Sequence, residues 1–471
     1  MHSQRMVNQM AIDLSPRWDE FAVYLPAIQE WYSKNVHSDS NRDKSRPFPS
    51  GIKLTDLDYL NPKSKLWHYK YGLYSAGQFK KHAPIECSVA LRDRSLDANG
   101  VSKTIILGDS GGYQIGIGTF NGTQHLKKIK DPLVMCDAWR SCGDVRDRVV
   151  DWLCATSDYA MTIDMPLWVL VSDKSKSPFK ICSREQLTQL TLENLEHIKQ
   201  NKSGATKWLN VIQGTNEADT EYWWSRVKKY KFDGWALAGS VGWRGGLDSV
   251  MYNVLRMRDD GAFEDGQDWM HVLGVSQPTW AVMLTAIQLS LREKCNPKLR
   301  ISYDSASPFQ TVGRMKKLIR HPKLTNDMKT WVMTSQPNPL SSSYADGGRQ
   351  FHFPFQSPIG DLMDLNHLSV KPGAFENRPS DLISDLLLMN HTLYVYVRAF
   401  LEANEMVFLR PSEAAVYAPT EIMDGVEIIH DLITSNSWMK KYKKHKDYLN
   451  QISAKMSKVK KESNIAEDEI R

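Results

Sequence analysis

From about residue 86 the chain alternates short apolar runs with longer amphipathic stretches. The runs are SVAL (88–91), TIIL (104–107), DYAMTI (158–163), WLNVI (208–212), GWALA (234–238), HVLGV (271–275) and RISY (300–303). Runs of four to six residues with helix-length segments between them predict parallel βα units. Several intervening segments also carry start signals. Ser183 with Gln186 forms a capping box ahead of Leu187, Leu190, Leu195 and Ile198, and Ser276 with Pro278 opens a segment containing Trp280, Leu284 and Ile287. A further helix is expected over Leu382 to Ala403. Residues 1–80 show no clean periodicity and read as an irregular lead-in packed on the barrel. The segment 436–471 reads as a basic tail, a solvated helix or a flexible arm. No internal repeat is visible.

Each central run ends in a polar or glycine-rich group: Asp109 with a double glycine, Asp164, Gln213, Gly239, Leu273-Gly274 and Asp304. Their spacings of 55, 49, 26, 35 and 30 residues leave room for a crossover helix and a return strand each time. The fold expected is α/β, a (β/α)8 barrel over 81–435 with insertions. Such a barrel gathers all strand C-termini at one face, so these scattered groups become one site. Two carboxylates across a pocket suit glycosidic chemistry, one attacking or stabilising the anomeric carbon while the other moves a proton. An amide, backbone N–H groups and a third carboxylate can read a base edge, and Tyr113 offers a stacking face.

Length, composition and charge narrow this picture. At ~150 residues per domain, 471 residues would suggest about three domains, but the strand pattern reduces this to one decorated barrel with an appendage. With 41% hydrophobic and 24% charged residues, wholesale disorder is excluded. The net charge of +6 is local: Lys440 to Lys461 holds nine lysines and one acid, leaving 51 basic and 53 acidic residues elsewhere. Six dispersed cysteines without a CxxC pair match neither a disulfide framework nor a zinc cage. There is no signal-like apolar core and no membrane-length apolar window, so a cytoplasmic protein without membrane contact is expected.

The ordered set DSGGYQ (109–114), Asp164, VIQG (211–214), AG (238–239), LGV (273–275), YDSASP (303–308) and NHTLYVYV (390–397) resembles the tRNA-guanine transglycosylase family over roughly residues 100–400. The resemblance implies that Asp304 is the nucleophile at C1′ and Asp109 the general acid/base. It implies that Asp164 accepts from N1–H and the exocyclic amine of guanine or a 7-deazaguanine, with Gln213 and the Gly239 amide at O6. Ser110, Gly111 and Gly112 complete the substrate loop, and Tyr113 and Leu273 sandwich the purine. The family's tRNA enzymes carry a CxCxxC…H zinc site after the nucleophile. Here His391 falls at the histidine, but no cysteine follows Cys295. No metal or other cofactor is therefore expected, and His391 reads as a core histidine. The family's Pro-Thr-Arg is Pro308-Phe309-Gln310 here, which moves the backbone contacts to Arg314, Lys316 and Lys317.

These departures resemble the DpdA-type DNA-guanine transglycosylases of bacteriophages and bacteria. The implied partners are DNA carrying a flipped or single-stranded guanine and a free 7-deazaguanine base such as 7-cyano-7-deazaguanine. A helper protein or a homo-oligomer stays open. Two alternatives are a zinc-less enzyme acting on tRNA and a non-catalytic base-binding subunit. The serine-protease reading of GDSGG (108–112) fails on order: only 109 residues precede Ser110, and no His-Cys motif surrounds His2, His37, His68 or His82.

Overall fold

The computed structural model describes residues 12–79, 88–95, 103–171, 176–214, 216–239, 246–338, 353, 356–368 and 380–468, with side chains to residue 453 in the last segment. The first 11 residues, His82, Cys87 and residues from 469 onward lie outside them. Eight parallel strands close into a barrel: β1 (Val23–Ile28), β2 (Tyr71–Ser75), β3 (Ile105–Asp109), β4 (Tyr159–Met161), β5 (Lys207–Ile212), β6 (Gly234–Leu237), β7 (Trp269–Val272) and β8 (Arg300–Ser305). Sequential neighbours pair around the ring, and β8 closes on β1 with Tyr303 opposite Tyr24 and Asp304 opposite Leu25.

The helices used below are α1 (Gly143–Thr156), α2 (Arg184–Asn201), α3 (Glu217–Val227), α4 (Leu247–Asp259), α5 (Pro278–Lys294), α6 (Ser307–Gly313), α7 (Leu382–Asn404), α8 (Thr420–Thr434) and α9 (Trp438–Asp468). The capping box at Ser183 is formed, with Ser183 Oγ accepting from Gln186 N and the Gln186 side chain accepting from Ser183 N. Trp223 and Trp224 are buried in α3, as packing residues. An antiparallel hairpin (Lys317–Arg320 with Thr334–Pro337) follows α6. Among the described residues, no helix is long and apolar enough to cross a membrane.

Two expectations need correction. SVAL (88–91) is a turn and not a strand, and the lead-in supplies the first two barrel strands. The β1 segment VYLPAI is buried on both faces and contains Pro26, so it shows neither the alternation of a half-exposed strand nor a proline-free run. The lead-in is also tied to the C-terminal helices. Arg46 donates to Asp381, Ser384 Oγ and the His367 carbonyl, while Trp67 Nε1 donates to Asn390 Oδ1 and Asn390 Nδ2 to the Leu57 carbonyl. Arg17 pairs with Glu405. Residues 12–79 are thus part of the barrel domain. The basic tail is a helix, and it is docked: Trp438, Tyr442, Leu449 and Ile452 form a buried face against α4 and α8.

Candidate active site

The C-terminal ends of β3 to β8 carry the polar groups, and closure of the ring brings them together. Asp109 ends β3, beside Ser75 of β2 in the strand register. Ser75 Oγ donates to Asp109 Oδ2 at 2.6 Å and Gly111 N donates to Oδ1 at 3.1 Å. Burial raises the Asp109 carboxyl above its ordinary range, the two hydrogen bonds oppose this, and the charge of Asp304 adds to the rise. A carboxyl held up in this way keeps its proton to a higher pH than a free one.

Gly111 has φ +82°, and a Cβ there would lie 2.8 Å from Gly77 N, so the turn after Asp109 requires glycine. Gly112 is tied to the next strand: a Cβ would stand 2.9 Å from Asp164 Oδ1. Asp164, three residues past β4, is buried and accepts from Gln213 Nε2 at the end of β5. Burial pushes its carboxyl up to about 7, against the Gln213 hydrogen bond and with help from the charge of Asp109. Gly239, past β6 with φ +79°, places its Cα hydrogens toward Gln213, since a Cβ would be 3.4 Å from Oε1. Asp164, Gln213 and Gly239 therefore form one edge along three consecutive strands.

Asp304 lies in β8, with its side chain 14% exposed. Gly274 N donates to Asp304 Oδ1 at 3.0 Å, and His271 Nε2 approaches the same oxygen at 3.3 Å. His271 is fully buried, with Nδ1 2.9 Å from Ser302 Oγ, which accepts from Trp269 Nε1 at 2.8 Å. An ionised carboxylate only accepts, so Nε2 carries the proton facing it and, in the neutral ring, Nδ1 accepts from the Ser302 hydroxyl. The sequence reading missed this chain. Its signal was the alternation of inward positions on two adjacent strands, Trp269 and His271 on β7 with Ser302 and Asp304 on β8, paired in register as Trp269 with Arg300 and His271 with Ser302.

Tyr113 is 56% exposed and stacks on Trp168 with ring centroids 5.5 Å apart and planes 23° apart. Leu273 is partly buried and follows β7, four places from β3 in the eight-strand ring and so on the opposite wall. Trp168 was not anticipated as the backing for Tyr113.

Other expected residues sit differently. Ser110 is 1% exposed and its hydroxyl donates to the Thr162 carbonyl at 3.1 Å, so it fastens the β3 loop to β4 instead of facing a substrate. This also removes it as a nucleophile. Lys316 is bound to Asp385 at 2.7 Å at the start of α7, which takes it from the backbone-contact set, whereas Arg314 is exposed and Lys317 is half-buried at the start of the hairpin. His391 is buried against the Phe353 ring, with Nδ1 2.7 Å from Ser357 Oγ, and burial lowers its pKa to about 3.

The arrangement can place a carboxylate against an electrophilic carbon, hold a second carboxyl with a transferable proton nearby, and present an acceptor-plus-amide edge to a flat heterocycle. No protein-family model matches this chain, and no curated protein matches its sequence.

Proposed function

We propose that the protein is a base-exchange transglycosylase that replaces guanine in DNA with a 7-deazaguanine. The observation that carries this reading is the convergence of Asp304, Asp109 and the Asp164–Gln213–Gly239 edge at one end of the barrel, beside the Tyr113 ring. Glycosidic exchange needs all three parts: a nucleophile for the sugar, a proton carrier for the purine, and a reader for its edge.

In this mechanism an Asp304 carboxylate oxygen forms a bond to C1′ as the C1′–N9 bond breaks, and Asp109 gives a proton to the departing guanine. The incoming base then loses its N9 proton to Asp109, attacks C1′ and expels Asp304, so proton and carboxylate are both restored. Asp164, when ionised, accepts from N1–H and the exocyclic amine, and Gln213 and the Gly239 amide face O6. The target nucleotide must be extruded or single-stranded, because stacking otherwise covers both C1′ and the base edge.

The test is incubation of the protein with radiolabelled guanine or 7-cyano-7-deazaguanine and, separately, duplex DNA, single-stranded DNA and tRNA. Label is expected in DNA. Label in none of the three polymers would overturn the reading, and label confined to tRNA would overturn the choice of DNA.

His271 acts through Asp304 and is a positioning residue. Its N–H holds the attacking carboxylate in one rotamer, and a hydrogen bond to a charged group contributes about 1.5–3 kcal/mol. His271→Phe is expected to slow single-turnover adduct formation by about 10- to 100-fold. His271→Gln, whose amide can donate from a similar place, is expected to recover much of that loss. Equal defects in both variants would assign His271 to packing alone.

A further inference from the structure

We propose that α9 is a rail for the phosphate backbone of duplex DNA flanking the target nucleotide, an inference that rests on the reading of the barrel as an enzyme acting on DNA. The helix has a defined direction. Trp438 Nε1 donates to Asp259 Oδ2 at 2.5 Å, at the C-terminal end of α4, and Ser453 Oγ accepts from Leu247 N at 2.7 Å, at its first residue. Between these points the Tyr442 hydroxyl reaches the Asp248 carbonyl at 3.3 Å. Because α4 follows β6, its first residue lies on the face that carries Gly239. The helix α9 therefore climbs antiparallel to α4 and reaches the catalytic face at Ser453. It continues to Asp468, about 22 Å further at ~1.5 Å per residue.

The half up to Ser453 is seated on α4 and α8. Trp438, Tyr442, Leu449 and Ile452 are buried, Tyr448 donates to Asp424 at 2.7 Å, and Lys441 and Lys446 pair with Asp431 and Glu217. Lys440, Lys443 and Lys444 are exposed on this half. Past Ser453, positions 455, 458, 460 and 461 are lysines, with no acid before Glu462. Residues 440–461 thus span about 32 Å of helix.

Two lysine clusters along that length, Lys440 to Lys446 with two of its members paired and Lys455 to Lys461 beyond Asp447, on a protein whose remaining residues are slightly acidic, match a linear polyanion. Duplex DNA carries one charge per ~1.7 Å of its axis. A membrane surface is a poorer match. An interfacial helix buries its apolar face in lipid, and the described apolar face of α9 is already spent on α4 and α8.

The discriminating variant is the full chain with Lys455, Lys458, Lys460 and Lys461 changed to Gln, which keeps helix propensity and the buried face. Truncation after Ser435 is unsuitable because it would strip that face from α4. Binding to a duplex of about 30 base pairs, measured by fluorescence anisotropy between ~50 and ~200 mM salt, is expected to weaken at least ~10-fold at the lower salt, and the slope of log K against log salt to become shallower by up to ~3.6. Exchange on a short single-stranded oligonucleotide, which ends before reaching α9, is expected to be unchanged.

An unaltered slope would overturn the rail. A slope change with tRNA and none with duplex would overturn the assignment to DNA. A changed duplex slope together with no exchange by the wild-type protein would support the rail and overturn the transglycosylase reading.

Discussion

Asp304→Asn is expected to abolish base exchange, by ~10⁴-fold or more in turnover, with no covalent protein–DNA adduct on a denaturing gel. Asparagine occupies the same volume, and its Oδ1 can still accept from Gly274 N and from His271 Nε2, so the local structure should survive. The amide nitrogen that replaces Oδ2 is no nucleophile toward C1′, and the neutral Oδ1 does not balance positive charge developing on the sugar. The loss should therefore fall on the chemical step and not on base affinity. A thermal midpoint within a few degrees of wild type would show that folding is intact. Persistent adduct in the variant would remove Asp304 as the nucleophile, and adduct lost together with the fold would be distinguished by the midpoint.

The second large effect concerns Asp164. Its carboxyl titrates at about 7 in the free protein because burial disfavours the charge, yet the proposed recognition of guanine needs the carboxylate as acceptor. Base affinity is thus expected to rise about tenfold per pH unit below ~7 and to level off above it. Binding below pH 7 should release a proton, which calorimetry in buffers of different ionisation enthalpy can count.

Asp164→Asn should flatten the profile and lower kcat/KM for the base by ~100-fold or more, since two hydrogen bonds to a charged acceptor are lost. The Gln213 amide can also turn to accept from the amide introduced at position 164, which reverses the donor pattern at O6. A wild-type profile without a step near 7, or an equal step in the variant, would refute this role.

The same shift has a stability consequence with the opposite sign. The folded-state pKa of about 7 lies above the ordinary carboxyl value of 3.8, so this group's contribution is fully present below about 4 and is lost as pH rises toward 7. A guanine or a 7-deazaguanine bound to the carboxylate form restores stability above that window.

Much of the candidate site was legible in the sequence. Asp109, Asp164, Gln213, Gly239 and Asp304 each directly follow or end an apolar run, and a parallel βα pattern has one face on which such groups can meet. The capping box at Ser183 and the helix beginning near Pro278 were readable for a related reason, since a cap is set by residues three or four apart. These are local or periodic features.

Long-range pairing came from the folded chain alone, because a linear pattern has no signal for it. Val23–Ile28 and Tyr71–Ser75 become barrel strands because β8 and β3 present open edges to them, although Pro26 and the absence of alternation hide both. Whether a polar group faces the pocket or the wall depends on partners dozens to hundreds of residues away. Ser110 is spent on Thr162, Lys316 on Asp385, and Asp304 gains His271 and Ser302 behind it. The lysines of the tail were countable from the chain, but their direction was not. Burial of Trp438 and Tyr442 against α4, with Ser453 Oγ accepting from Leu247 N, turns a run of charge into a helix docked antiparallel to α4.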